Sequence, residues 1–496
     1  MSKEIKFSEV LKKLEDNRFY HCSEDDDKSI WNRVSFDSRK TIDSPTLLEK
    51  VKEEEIDFLI NLSLIDKKNL NATIIKGDNY EHNTDLPFID FSKKWKDNSF
   101  DVNTGNLVGF IKQGPYIANI SSRFGDEFLM YLIADADGFQ EMEDFGSLSK
   151  NESELDNQWM LIYLWNIKLR KAYRLGVPKI YQSFKERLAV PRGTLDVIDY
   201  AINYKRGKYL CNYREHSYAN IVNELIVATF KAIDRSTKKN FLKPPRSIYQ
   251  SFLTATQGKI HPLQDLLATK PFTNPFFSDY NSVIELSKCI LRNESATMSN
   301  DDSSAFLFDV SMLFEYFIRK MLATQNDNYE LAPKKEFSHE IPTGGILENG
   351  DYDKHDLQPD LVLKNGKDVF VFDVKYKYWS KKNGVKREDL FQLHTYVGQW
   401  YKKEEHVKAC GFIYPIKKSR WNELYETENN FLKQQITICG NEIPFYIIFF
   451  KVPEIKEEDR KNKVSFKNFT EAMGSSKNEF LSTITDIVLQ KNNPVF

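Results

Sequence analysis

The sequence has no paired cysteines, no long apolar run and no excess of charge of either sign. Five cysteines, Cys22, Cys211, Cys289, Cys410 and Cys439, are scattered through 496 residues without a C-x-x-C pair. That spacing excludes a zinc ribbon, an iron–sulfur cluster and a disulfide framework, and it suits a reducing cytoplasm. The longest apolar stretches, Pro444–Phe450 and Phe128–Ala134, fall far short of the roughly 18 residues of a membrane span. The opening Met1-Ser2-Lys3-Glu4-Ile5-Lys6 lacks the apolar core of a secretory signal. A cytoplasmic protein with no membrane contact is expected. Lysine and arginine number 70 against 72 aspartates and glutamates, a net charge of −2. A general polycation is excluded; a local basic patch is not. No G-x-x-x-x-G-K-[ST] phosphate loop occurs. The chain is therefore expected to bind no nucleotide itself, and any nucleotide-driven motor must be another chain.

Apolar residues make up 41 % of the chain and aromatics 14 %, which excludes a disordered or fibrous protein. The length allows two to four domains at about 150 residues each. Residues 1–100 are polar, with acidic runs at Glu24–Asp27 and Glu53–Glu55 and a short apolar stretch at Phe58–Leu64. They read as an accessory region whose acidic runs are solvated surface. Strands are expected at Leu107–Ile111 and Tyr116–Ile120, around Lys112-Gln113-Gly114-Pro115. Helices are expected over Phe128–Asp135, Trp159–Gly176 and Tyr218–Ile233, with a loose boundary near Lys243–Lys270. The expected division is 1–100, 101–245, 275–455, and a C-terminal extension over 456–496.

The segment Ala305–Pro415 carries the chemistry. Phe306, Val310, Phe314, Phe317 and Met321 recur at helical spacing and predict a helix over Ala305–Thr324. Glu315 stands inside this apolar stretch, either as an edge residue reaching water or as a functional group. Two apolar runs, Pro359–Lys364 and Lys367–Val374, flank Asn365-Gly366, a strong hairpin signal. With Asn365-Gly366 as a two-residue turn, Lys364 pairs with Lys367 and Asp360 lies opposite Val371. Asp360, Asp373 and Lys375 then share one face, with the two aspartates diagonal neighbours. Two carboxylates so placed can meet at one metal ion, Mg²⁺ or in its place Mn²⁺. The metal removes the cost of burying the aspartates, and Lys375 can hold or polarise a water that attacks phosphorus. The plain alternative is a hairpin whose charged ends are merely solvated.

Downstream, a helix is expected over Glu388–Lys402, with Gln392 and Tyr396 on one face. They are either ordinary helix surface or a polar pair turned toward the site. Strands at Val407–Pro415 and Phe445–Val452 complete an α/β sandwich with a mixed sheet. Between Lys364 and Arg387 eight basic residues stand against two acidic ones, a local +6, interleaved with Tyr376, Tyr378 and Trp379. A patch of that kind beside a metal site points to DNA or RNA. Lys377, Lys381 and Lys382, with Gln392 and Tyr396, are the candidate phosphate contacts.

Glu315, Pro359-Asp360, Asp373-Val374-Lys375 and Gln392-x-x-x-Tyr396 together resemble the motif set of PD-(D/E)XK nucleases. The form Asp373–Lys377, followed by Asp389, Gln392 and Tyr396, resembles the McrC subunit of McrBC-type restriction systems. Upstream, Val108-Gly109-Phe110-Ile111, Phe128–Leu132, Arg192-Gly193 and the Asn220-led helix are similar to McrC segments. The resemblance spans roughly 105–450; Ser121-Ser122 stand where the family often has Pro-Lys, and residues 1–100 are not matched to family segments. It implies an α+β multi-domain protein, in which a β-rich and helical N-terminal part precedes a restriction-endonuclease-like α/β core with a central mixed sheet. It further implies a Mg²⁺-dependent endonuclease of double-stranded, modified DNA, working as a hetero-oligomer with a separate McrB-like AAA+ GTPase. In that setting Asp360, Asp373, the Val374 carbonyl and Glu315 are the expected metal ligands. Asp360, Asp373, Lys375 and Glu315 are the expected catalytic set, and the region within 1–245 is the expected partner-binding part. A stand-alone nuclease and a non-catalytic adaptor of a motor remain as alternatives.

Overall fold

The chain leaves one sheet, builds a second compact unit, and returns to the same sheet. The computed structural model describes residues 14–16, 19–24, 31–36, 46–47, 72–75, 89–94, 99–113, 116–136, 159–203, 207–236, 245–296, 303–324, 327–333, 339–346, 352–399, 406–425, 429–455 and 465–489. Asp25–Asp27, Glu53–Glu55, Phe58–Leu64 and the Gly114-Pro115 turn lie outside them. One unit combines residues 1–151 with 305–496; the other is Glu152–Ser304. A boundary near 245 therefore falls inside the second unit rather than between units.

In the first unit the N-terminal strands are β1 (Leu14–Glu15), β2 (Phe19–Glu24), β3 (Trp31–Phe36), β4 (Thr46–Leu47), β5 (Ala72–Ile75), β6 (Ile89–Lys94), β7 (Ser99–Thr104), β8 (Leu107–Gln113) and β9 (Tyr116–Ser121). Strands β4-β3-β2-β7-β6 form one antiparallel sheet. The expected pair β8–β9 is antiparallel. It is followed by α1 (Asp126–Ala136), which buries Phe128, Leu129, Leu132 and Ile133.

The second unit holds α2 (Trp159–Tyr173), β10 (Ile180–Leu188), β11 (Thr194–Leu195), α3 (Val197–Asn203), β12 (Tyr209–Ser217), α4 (Ile221–Ser236), α5 (Arg246–Thr256), α6 (Leu263–Leu267) and α7 (Asp279–Ala296). Its helices close on Trp165, Leu225, Phe230, Phe252 and Tyr280. The Trp165 Nε1–H donates to Ser287 Oγ at 2.8 Å. Helix α4 starts three residues later than its apolar pattern because Asn220 caps it: Asn220 Oδ1 accepts from the Asn223 N–H at 3.1 Å.

The chain then re-enters the first unit through β13 (Ser303–Asp309), which pairs in parallel with β5 and completes the sheet β1-β9-β8-β13-β5. The expected helix over Ala305–Thr324 thus begins as a strand. An apolar run of this length fits either period. Asp309 decides, because its Oδ1 accepts from the Ser311 and Met312 N–H groups at 3.0 and 3.3 Å and caps α8 (Val310–Leu322). There follow β14 (Glu330–Leu331), β15 (His339–Ile346), β16 (Tyr352–Leu357), β17 (Leu361–Asn365), β18 (Asp368–Val374), α9 (Arg387–Gly398), β19 (His406–Lys417), α10 (Lys418–Leu424), β20 (Phe431–Ile438), β21 (Asn441–Val452) and α11 (Ser465–Val488). The sheet β14-β17-β18-β19-β21-β20 is mixed: β18–β19 and β19–β21 are parallel, β17–β18 and β20–β21 antiparallel. The continuous apolar run of β18 fits its interior place, buried on both faces. In the middle of β19, a Cβ at Gly411 would lie 1.8 Å from the Tyr446 carbonyl oxygen. That close approach explains the glycine.

The described helices place the expected C-terminal extension differently. Helix α11 packs on β21 and α1, burying Phe469, Met473, Phe480 and Ile484. Phe480 meets Phe450 at 5.7 Å. The segment belongs to the core of the first unit. Tyr376 and Trp379 are buried too, so of the three aromatics in the basic stretch only Tyr378 is exposed. Apolar packing, not nucleic acid, accounts for the other two. Tyr376 lies under the Arg123 guanidinium, 4.5 Å from the ring centre. Arg123 in turn sits 3.6 Å from Asp16 Oδ2, with both side chains almost fully buried. This pair ties the N-terminal strand β1 to the segment just beyond Lys375. Arg123→Ala should lower unfolding stability by roughly 3–5 kcal/mol, because it strands a buried carboxylate. Urea unfolding of Arg123→Ala, Asp16→Ala and the double variant checks this: the double should recover part of the loss.

Candidate active site

The β17–β18 hairpin sets the site. Asn365 pairs with Asp368, so Gly366 and Lys367 form the two-residue turn, with Gly366 at φ +62°. Glycine at the first turn position and an ordinary residue at the second is the type II′ arrangement. The turn is thus one residue later than Asn-Gly alone implies. Carried outward, this register sets Asp360 directly opposite Asp373 rather than on the diagonal. Side chains so opposed have Cβ atoms about 4.5–5.5 Å apart.

Asp360 stands at the mouth of β17. Its Oδ2 accepts the Val374 N–H at 2.8 Å, and its carbonyl accepts from Arg319 Nη1 on α8. Asp373 is 1 % exposed. Its Oδ2 lies 2.5 Å from Lys375 Nζ, while its Oδ1 has no hydrogen-bond donor among the described residues. The Lys375 N–H donates to the Ile413 carbonyl at 2.9 Å, so sheet pairing continues past β18 and fixes the lysine backbone. Its Nζ also donates to Gln392 Oε1 at 2.8 Å. Gln392 Nε2 donates to the Tyr396 hydroxyl at 2.5 Å. Helix α9 therefore presents the expected i, i+4 pair to the hairpin.

Burial, reinforced by the negative charge of Asp360 and only partly opposed by Lys375, pushes the Asp373 carboxyl well above the usual carboxylate range. Burial works against the Lys375 ammonium, but Asp373, Asp360 and Asp389 outweigh it and raise its pKa. Lys375 is a proton donor at neutral pH. The Tyr396 hydroxyl is also pushed up, by burial first and then by Asp373 and Asp360, with a smaller contribution from Glu315. Glu315 is nearly buried on α8, and its charge is felt at Tyr396. Among the described residues no three His, Cys, Asp or Glu side chains close on a single point.

The candidate phosphate contacts divide. Lys377 donates to both carboxylate oxygens of Asp389, at 2.7 and 2.9 Å, so its charge is already engaged. Lys381 donates to the Leu424 carbonyl at 3.3 Å and lies over the Tyr425 ring. Lys382 is exposed. The sequence reading did not single out Arg319 or give Asp389 a role. Arg319 sits one turn after Glu315, a cation on a largely apolar helix. Asp389 sits three residues before Gln392, on the same helix face.

The donor set fits a hard divalent cation: oxygen ligands only, two opposed carboxylates, and a buried Asp373 oxygen with no donor. The family described as McrBC 5-methylcytosine restriction system component matches residues 102–415. The chain belongs to that family. Solved structures similar to it include a refined half-complex from a tetradecameric assembly of Thermococcus gammatolerans McrB AAA+ hexamers with bound McrC. There the identity is 15 %, covering 74 % of this chain and 84 % of that one, with a TM-score of 0.45. A second is a cryo-EM structure of the Thermococcus gammatolerans McrBC complex, at 15 % identity, 63 % and 87 % coverage and a TM-score of 0.36. No curated protein matches the chain. Among the described residues no helix is long and apolar enough to cross a membrane.

The crowding of Asp360 and Asp373 predicts a stability signature. Asp373→Asn should raise the melting temperature of the metal-free protein, since it removes a repelled, buried charge. Mg²⁺ at 100 times its Kd should stabilise the unsubstituted protein by about 2.7 kcal/mol and the variant much less. Thermal unfolding with and without Mg²⁺ reads both effects.

Proposed function

We propose that this McrBC-family chain is the DNA endonuclease subunit of a modification-dependent restriction system, with a PD-(D/E)XK-type core. The observation that carries the reading is the Lys375 ammonium held between Asp373 and Gln392 beside two opposed aspartates. Asp360, Asp373, the Val374 carbonyl and Glu315 would hold Mg²⁺, or Mn²⁺ in its place. The ion would neutralise charge at the scissile phosphate. Lys375 would hold or polarise the attacking water beside the ion. The water oxygen would bond to phosphorus as the ester P–O bond on the far side breaks, the water's proton passing to solvent and the departing oxygen taking one from solvent. Gln392 and Tyr396 offer N–H and O–H donors to the phosphate oxygens. The exposed lysines Lys381 and Lys382 supply cations for the DNA backbone.

In this reading the partner is a ring-forming McrB-like AAA+ GTPase, which delivers double-stranded, modified DNA to the nuclease in the cytoplasm. The second unit offers the docking element. Strands β10 and β12 pair over nine residues, and α3 follows β11 beside them. Helix α3 buries none of its residues. Val197, Ile198 and Ile202 are each about three-quarters exposed, and Val190 equally so. Exposed apolar side chains gathered on one short helix mark an interaction surface.

Asp373→Ala in the full-length chain should abolish cleavage of methylated DNA in the presence of the GTPase and GTP, while leaving GTPase binding intact. Cleavage at the unsubstituted rate would sink the assignment. Ile198→Asp with Ile202→Asp should weaken GTPase binding at least tenfold, about 1.4 kcal/mol, and lose the stimulation of GTP turnover. Efficient cutting by the chain alone, without partner or nucleotide, would instead favour a stand-alone nuclease.

A further inference from the structure

Asp389 has no part in the chemistry above, yet it is almost fully buried at the third position of α9. A buried carboxylate is retained only with strong partners. Here both partners come from the catalytic strand's own continuation. Lys377 Nζ grips both of its oxygens at 2.7 and 2.9 Å. Lys375 Nζ approaches the same Oδ1 at 3.8 Å. The Lys377 N–H donates to the Lys375 carbonyl at 2.9 Å, so a tight turn sends the two lysines to one carboxylate. The order of distances matters. Lys375 is close to Asp373 and Gln392 and stands off from Asp389, whose nearer oxygen contacts belong to Lys377.

Resting on the metal-nuclease reading, we propose that Asp389, clamped by Lys377, is a positioning residue that keeps the Lys375 ammonium at the site once Asp373 is committed to a metal ion. A divalent cation beside Asp373 cancels the carboxylate's hold on Lys375 and repels the ammonium. Gln392 alone offers a neutral acceptor. Asp389 supplies the negative charge that survives metal binding. Lys377 keeps that carboxylate from drawing Lys375 fully away from Asp373. The clamp also lowers the competition between Lys375 and the metal for Asp373, because Lys375 has a second anion to face.

The proposal predicts separable effects in the full-length protein. Asp389→Asn should weaken Mg²⁺ binding, read by calorimetry on the protein without DNA, by about tenfold. It should lower kcat for cleavage at saturating Mg²⁺ at least tenfold, with KM for DNA within twofold. Lys377→Arg should retain most of kcat; Lys377→Met should lose it, because Lys375 then pairs with Asp389. In a Lys375→Ala background, Asp389→Asn should leave Mg²⁺ affinity unchanged. A fall in melting temperature with unchanged kcat and Mg²⁺ affinity at a permissive temperature would make Asp389 merely structural and overturn the proposal. So would an equal loss of Mg²⁺ affinity with and without Lys375. Absence of Mg²⁺ binding by the unsubstituted protein would instead overturn the nuclease reading on which the proposal rests.

Discussion

Two carboxylates face each other across one rung of a hairpin, and the rest of the site is arranged around that repulsion. Asp373 is buried and Asp360 sits at the mouth of the partner strand. Each charge makes the other harder to keep. Lys375 relieves part of it from 2.5 Å, and the Val374 N–H relieves part by donating to Asp360. What is left is a pair of opposed carboxylates, oxygen ligands of the kind a hard divalent cation takes. A hairpin built only for stability would place apolar residues at that rung.

Holding that rung in place needs rigidity on both sides of the sheet. Strand β18 lies between an antiparallel and a parallel neighbour, and the Lys375 N–H continues the pairing with β19. On one face Val371, Phe412, Tyr414 and Phe449 pack with Trp379, Leu393 and Tyr396. On the other, Phe314 and Phe317 of α8 meet Phe450 edge to face, and Phe314 also meets Tyr376. Helix α8 thereby fixes Arg319, which holds the Asp360 carbonyl. The N-terminal strand reaches the same region through Asp16, Arg123 and Tyr376. The second unit, inserted between α1 and β13, carries the exposed apolar surface and none of these residues.

Much of this was legible in the sequence because it rests on local signals. The Asn-Gly turn, the apolar run of β18 and the i, i+4 spacing of Gln392 and Tyr396 each follow from short-range geometry. The register was off by one turn position, since a turn with glycine first differs from one with glycine second only in backbone dihedrals. Strand β13 looks helical in the sequence because Ala305–Phe308 is apolar throughout and its pairing partner, β5, lies more than 200 residues upstream. The same distance hid the discontinuous first unit and the core role of α11. The basic stretch is less uniform in the structure than in the sequence. Its charges count alike in a sequence, but Lys375 and Lys377 turn inward to carboxylates and Tyr376 and Trp379 turn into the core. Asp389 escaped a role because its partners are set by a turn, not by a helix or strand period.

Electron paramagnetic resonance of Mn²⁺ added to the full-length protein asks whether the Asp360–Asp373 rung is an oxygen-only site for one divalent cation. A metal site there gives stoichiometric Mn²⁺ binding that Mg²⁺ displaces and that Asp360→Asn removes. No stoichiometric binding, or binding that persists in Asp360→Asn, would contradict it.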